Sequence, residues 1–196
     1  MDFEVVLEHL YLVLISSIFA TMIGLILGVI VYFFKPVRSI ILKIIDTIQT
    51  IPALAILGLL MIIFGGTSIT VIIGLILYSL LPIVSNTYVG LKNIEPSIKE
   101  AAVGMGMTKV QRLFQVELPI AFPMVFTGIR IAVVNSIGTA VFGSFVGGGG
   151  LGATINRAIL IQDMPTLMYA TLSLMIMAVI FDYGMGSVEK RLKTHS

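Results

Sequence analysis

The sequence predicts an all-α membrane protein with five transmembrane helices in a single domain covering 1–196. Three observations lead there. The chain is 58% hydrophobic and 11% charged, with a mean hydropathy of +1.10, and a soluble domain of this length could not cover so much apolar surface with so few charges. Five apolar segments are each long enough to cross a hydrocarbon core of about 30 Å at about 1.5 Å per residue. The basic residues gather between those segments in a way that an odd number of crossings places on one side. No separate soluble domain of ordinary size fits in what remains.

The first span is expected at roughly 10–34, ended by Lys35-Pro36, because proline disfavours helical geometry in the residue before it. Gly24 and Gly28 form GxxxG on this helix. Close packing within the chain is the simpler reading of that motif, and a dedicated dimer seam is the other. The acidic start, MDFEVVLEH, and the length of the first apolar run argue against a cleaved signal peptide.

A basic connector follows, with Lys35, Arg38 and Lys43. The second span is expected at roughly 44–64, with Pro52 favouring a kink. Its first turns, DTIQTIPALA, are polar for a membrane helix. They read either as a helix end with Asp46 in water or as the polar wall of a pathway, since Gln49 and Thr50 lie deeper than Asp46. Gly65-Gly66 makes a turn into the third span, roughly 68–91, which contains Pro82 and ends after Ser85, Asn86 and Thr87.

The segment at roughly 92–118 is polar and mostly helical. Glu95-Pro96-Ser97 reads as a helix start, with proline in the first turn and an acid at the positive helix end. The fourth span is expected at roughly 119–146 and carries Arg130, Asn135, Ser136 and Thr139. After Gly147 to Gly150, the stretch ATINRAILIQDM reads as an interfacial or re-entrant helix. The last span is expected at roughly 166–188.

Ten of the twelve Lys and Arg fall on one side of a five-span arrangement. The positive-inside rule then places the N-terminus outside and the C-terminus in the cytoplasm. The loop at roughly 92–118 faces the cytoplasm with them, where its natural use is to present a surface to something soluble.

Several chemistries are excluded. Cysteine is absent, which removes disulfides, thiolate metal sites and cysteine nucleophiles. Tryptophan is absent too, leaving Tyr, Phe and Lys as interface anchors. There is no P-loop, HExxH or GxSxG. His9 and His195 lie near opposite ends, so no two-histidine metal site is expected within the chain. No residue is assigned as catalytic, no metal is expected, and no nucleic-acid partner is called for.

The ionisable and polar residues inside spans leave alternatives open. Arg130 is a functional candidate by its position, yet it can also snorkel to the interface or pair with an acid such as Asp46. Asp182, near Lys190, can reach water or a cationic partner. Asn135, Ser136 and Thr139 either bond to neighbouring helices or line a polar passage. Gln49, Thr50 and Asn86 join them as candidate lining residues. The glycine run Gly147 to Gly150 reads as a flexible turn that packs closely.

Glu100-Ala101-Ala102, then Gly106, then Val116-x-Leu118-Pro119 resemble the EAA loop of ABC-type importer permeases, with Val116 where that family usually has Ile. Small residues at Ala101, Ala102, Gly104 and Gly106 keep the loop slim enough to enter a groove. IQTIPALAILGLL, PIVSNTYVGL, the run from IKEAAVGMG to VFTGIRIA, and FVGGGGLG resemble the osmoprotectant branch of type I importers, whose solutes are glycine betaine, carnitine and choline. The resemblance covers nearly the whole chain.

It implies the type I importer permease fold and a cytoplasmic coupling loop that docks on ABC ATPase subunits. It implies a second permease chain, identical or different, and an external substrate-binding protein. ATP and Mg would sit on the partner ATPase, so this chain itself would bind no cofactor and catalyse nothing. It implies a multi-pass protein of the bacterial cytoplasmic membrane, with the glycine-rich element near the outer mouth. Branches that carry methionine or other amino acids share the EAA loop and remain alternatives. Of the rivals from other classes, an ion-coupled secondary transporter would want buried acids and an inverted repeat. An intramembrane enzyme would want a dyad or metal ligands, and a membrane scaffold would leave the loop unexplained.

Overall fold

The computed structural model describes residues 3–194, and among these every regular element is helical. Helix α1, Phe3–Phe33, is apolar on all sides, so small residues select the face it buries. Ser16, Ser17, Ala20, Gly24 and Gly28 are all on that buried face. A Cβ on Gly24 would stand 2.7 Å from the Ile83 side chain, and one on Gly28 2.6 Å from Thr87. The GxxxG pair therefore lets α1 seat directly on α4, Ser68–Lys92. Matching 24 with 83 and 28 with 87 makes these two helices parallel.

The expected second span is revised. The basic connector is itself helical: α2 runs Lys35–Thr50, with Pro36 in its first turn, where a missing N–H costs nothing. A 101° bend then separates α2 from α3, Ala53–Phe64. Ile51 is extended at φ −76°, ψ 132°, as the residue before a proline prefers. Pro52 thus breaks the segment instead of kinking it. Helix α2 climbs antiparallel to α4, from Arg38 over the Tyr88 ring at 4.6 Å to Gln49 beside Tyr78. Ile45 packs there with Val31, Leu80 and Val84. Helix α3 crosses sideways and sets Leu57 against Gly74.

After α4 come α5, Pro96–Gly104, and α6, Lys109–Arg112. One wide π turn, Leu113–Glu117, joins α6 to α7, Leu118–Thr139. Helix α7 lies antiparallel on α4. A Cβ on Gly128 would meet the Pro82 carbonyl at 2.6 Å, and Ser79 and Ser136 hydroxyls bond at 3.0 Å. The fourth segment tightens to a 3-10 helix over Ala140–Val146. Helix α8, Gly150–Leu160, then reverses the chain. Helix α9, Met164–Thr194, returns antiparallel to α7 and is longer at both ends than the expected span.

Among the described residues four helical stretches are long and apolar enough to cross a membrane, and five if the bent α2–α3 pair counts as one. The helix directions put the start of α1 and the end of α9 at opposite ends of the bundle. The central core is built from Leu12, Val71, Leu75, Ile137 and Leu151, contributed by α1, α4, α7 and α8.

Candidate functional site

The loop between α4 and α7 is ordered by its own caps. Helix α5 ends in a Schellman arrangement: the Gly106 N–H donates to the Val103 carbonyl at 2.9 Å and the Met107 N–H to Ala102 at 3.1 Å. That geometry needs a residue in the left-handed region, and Gly106 supplies it with φ +79°. Thr108 and Gln111 form a reciprocal capping box that starts α6. Two sharp helix ends thus meet within four residues.

Glu100, Ala101, Gly104 and Gly106 are exposed, and no atom outside the local backbone approaches Gly104 or Gly106. Ala102 is buried and Leu118 is half-buried, so neither belongs to the exposed face. Pro119 is exposed at the foot of α7. Around them Val103, Met105, Val110 and Phe114 leave more than half of their surface in the open. These four apolar side chains stand open on an otherwise polar loop.

Under this patch lies a charge that sequence reasoning did not single out. The Glu117 side chain has 0% exposure and accepts from Arg112 Nε at 2.8 Å. Tyr32 at the end of α1 donates to the same oxygen at 3.3 Å. Lys99 Nζ donates to the Leu91 carbonyl at 2.8 Å and stands 5.3 Å from the Tyr32 ring centre. The loop is therefore tied to α1 and α4 by polar bonds, while Leu91, Ile94 and Leu113 pack the apolar side.

Of the candidate lining residues, Gln49, Asn135, Ser136 and Thr139 line one cleft of about 440 Å³ with Tyr78. Thr50 and Asn86 do not. The Thr50 hydroxyl bonds to the Thr47 carbonyl on the exposed side of α2, and Asn86 Nδ2 bonds to the Pro82 carbonyl. Gln49 has a structural task as well. Pro82 has no N–H for the Tyr78 carbonyl four residues earlier, and Gln49 Nε2 donates to that carbonyl at 2.7 Å. In return the Tyr78 hydroxyl donates to the Ile51 carbonyl at the α2–α3 break.

Arg130 does not pair with Asp46, which stays exposed on α2. Its partners come from α9: Asp182 Oδ1 at 2.7 Å and Glu189 Oε2 at 2.9 Å. Two helical turns separate those acids, and Gly186 between them leaves room for the guanidinium. Lys193 Nζ and the Thr127 hydroxyl complete the shell of Glu189, at 2.6 and 2.7 Å.

At the opposite end the glycine run packs closely, as expected, and is held in one conformation. Gly147, Gly149 and Gly150 hold positive φ, and the Gly150 N–H at the start of α8 donates to Glu8 at 2.8 Å. His9 is fully buried, and its Nε2 donates to the Ile137 carbonyl at 3.0 Å. His195 lies outside the described residues. Among the described residues no group of three or more His, Asp or Glu is placed to hold a metal. Between α8 and α9, Asp163 accepts from the Thr166 hydroxyl and N–H. Those two bonds hold its carboxyl below the ordinary carboxylate range.

Residues 20–194 match the family model described as binding-protein-dependent transport system inner membrane component. The chain is 40% identical over 186 residues to the glycine betaine/carnitine/choline transport system permease protein OpuCD of Bacillus subtilis, covering 94% of this chain and 81% of that one. It is 40% identical to the carnitine transport permease protein OpuCD of Listeria monocytogenes, over 94% of this chain and 83% of that one. It is also 40% identical to the osmoprotectant import permease protein OsmY of Salmonella typhimurium, over 96% of this chain and 81% of that one. In fold it is similar to a chain of the inward-facing MetNI methionine ABC transporter, with a TM-score of 0.87 at 22% identity, over 95% of this chain and 94% of that chain. The chain is a membrane protein with the type I ABC importer permease fold, and it belongs to the binding-protein-dependent transport system inner membrane component family.

Proposed function

We propose that this chain is the membrane-spanning permease subunit of an ATP-driven importer for osmoprotectants of the glycine betaine, carnitine and choline type. The observation that carries the reading is the loop between α4 and α7. It offers Glu100, Ala101 and two open glycines beside an exposed apolar patch, on short helices fixed by tight caps. Such a surface suits the groove of a soluble ATPase. The solute class rests on relatives about 40% identical over most of the chain.

In this reading α1, α2–α3, α4, α7 and α9 make five crossings of one membrane domain. The N-terminus lies outside, and the loop and C-terminus lie in the cytoplasm of a bacterium. Ten basic residues then share the inner side. Two ATPase subunits carry the ATP and Mg, a second permease chain completes the passage, and an external binding protein delivers the solute. Glu100, Gly104, Gly106 and Pro119 meet the ATPase, while Ala102 and Leu118 hold the loop to the bundle. Gln49, Asn135, Ser136 and Thr139 line the passage. ATP closes the ATPase dimer, and the docked loops move a bistable bundle between outward-open and inward-open states.

The test is ATP-driven uptake of radiolabelled glycine betaine into proteoliposomes holding this chain with its ATPase and binding protein. Uptake that needs all three components and ATP is expected. A complete, ATP-hydrolysing complex that moves none of glycine betaine, carnitine or choline would contradict the reading.

A further inference from the structure

Arg130 is shared between two acids whose settings differ. Glu189 has a side chain only 8% exposed, and Arg130, Lys193 and Thr127 surround it. Asp182 is 44% exposed. Only its Oδ1 is used, by Nε and one terminal nitrogen of Arg130, at 3.0 and 2.7 Å. Its other oxygen has no hydrogen-bond partner among the described residues. Glu189 also accepts from Lys193, so Arg130 and Lys193 are balanced by Glu189 and Asp182 together, and Asp182 is the more open of the two acids.

The pair also opens onto a cleft of about 350 Å³ that includes Thr127, Val134 and Asn135. Val134 and Asn135 line the cleft of Gln49 and Thr139 too, so the two clefts abut along α7. Both helices are among those long and apolar enough to cross a membrane. An ionisable pair within such helices is a functional-site candidate by default. The volume is of ligand size, at the lower end of a range of about 300–1,000 Å³. No aromatic residue lines this cleft, so a cation there meets a carboxylate and not a ring.

We infer that Arg130 and Asp182 form a transient site for a zwitterion bearing a carboxylate and a quaternary ammonium. The inference rests on the importer reading above. The solute's carboxylate takes the edge of Arg130 that Asp182 holds. The released Asp182 faces the ammonium. Glu189 keeps the third guanidinium nitrogen throughout. One ion pair becomes two, and net charge in the cleft is unchanged, so no uncompensated charge arises inside the bundle. A solute with only the ammonium engages Asp182 and has no use for Arg130.

The test compares ATP-driven uptake of glycine betaine and of choline by the complete complex in proteoliposomes, for wild type and Arg130→Gln. Loss of a charge-assisted contact to the carboxylate should slow glycine betaine by about tenfold or more, with choline changed less than about threefold. A bridge that only holds α7 to α9 would lower both alike, and that result overturns the inference. Asp182→Asn keeps the Arg130–Glu189 bridge and decides the matter if Arg130→Gln does not assemble. It should slow both solutes by about tenfold at unchanged thermal stability of the complex, with recovery in Asp182→Glu; a loss of thermal stability that accounts for the slowing marks a bridge only and overturns the inference. Unchanged uptake in Asp182→Asn overturns the inference. Wild type that imports choline but not glycine betaine overturns the inference and leaves the importer reading standing. Wild type that imports neither removes both.

Discussion

Tyr32 and Glu117, 85 positions apart, meet at 3.3 Å, where the last turn of α1 donates a hydroxyl to a fully buried carboxylate at the foot of α7. Arg112 completes the triad from the loop side. A push on the loop therefore reaches α1 through polar bonds as well as through packing.

Removing one partner of this triad should cost more than neutralising the other. Arg112→Ala leaves a buried carboxylate with only Tyr32, a loss of about 3–5 kcal/mol in such settings. Glu117→Gln keeps the shape and a hydrogen-bonding group, and should cost less. Thermal inactivation of the detergent-solubilised protein measures both. The double variant should lose less than Arg112→Ala alone, and simple additivity would show that the two side chains do not act together.

Two glycines of the loop should respond oppositely to alanine. Gly106 holds φ +79°, so Gly106→Ala is strained by about 1–2 kcal/mol with no atom in the way. Gly104 is helical and open, so Gly104→Ala should steady α5 by up to about 1 kcal/mol. Hydrogen exchange at the Met107 amide reads both changes. Faster exchange is expected in the first variant, and equal or slower exchange in the second.

Gln49 should matter only while Pro82 is present. Gln49→Leu strands the Tyr78 carbonyl, a loss of about 1–3 kcal/mol. Pro82→Ala restores an N–H to that carbonyl within α4, so Gln49→Leu should be milder in the Pro82→Ala background. Denaturation midpoints of the four proteins form the cycle. Equal costs in the two backgrounds would mean that the carbonyl is not what Gln49 serves.

On α7, Gly128 and Gly138 should separate close packing from open surface. A Cβ at Gly128 meets the Pro82 carbonyl and Asn86, whereas one at Gly138 meets nothing within 4 Å. Gly128→Ala is expected to destabilise by about 1–3 kcal/mol, and Gly138→Ala to leave the inactivation temperature nearly unchanged.

The helices were legible because their signals are local. Apolar runs, Pro36, Gly65-Gly66 and Glu95-Pro96 mark helix ends at or near the observed ones. The size of the α2–α3 bend was not legible, because a proline inside an apolar run reads equally as a kink or a break. In the fold the broken end is met by Tyr78, far along the chain, whose hydroxyl donates to the Ile51 carbonyl. Arg130 stood out as an ion in a span, but its partners lie 52 and 59 positions away on α9. Nothing local favours Asp182 and Glu189 over Asp46.

The Arg112–Glu117 pair was hidden by the helical period itself. Residues five apart on an α-helix point about 140° apart. Only the wide turn of Leu113–Glu117 brings them together, and π turns leave little trace in composition. Likewise, the glycine run read as a flexible turn that packs closely, and the close packing is observed, but its fixed conformation was not legible because glycines permit many. In the fold it is held by Glu8 from the far end of the chain.

The most direct measurement is retention of the ATPase encoded beside this chain on the purified, detergent-solubilised protein, comparing wild type with Glu100→Arg and Gly106→Trp. Both substitutions lie on the exposed loop surface and should leave the bundle folded. Wild type is expected to retain the ATPase and both variants to lose it, with thermal stability unchanged in Glu100→Arg and lowered in Gly106→Trp by no more than the backbone strain of about 1–2 kcal/mol. Retention by the variants equal to wild type, or none by wild type, would contradict the coupling role of the loop.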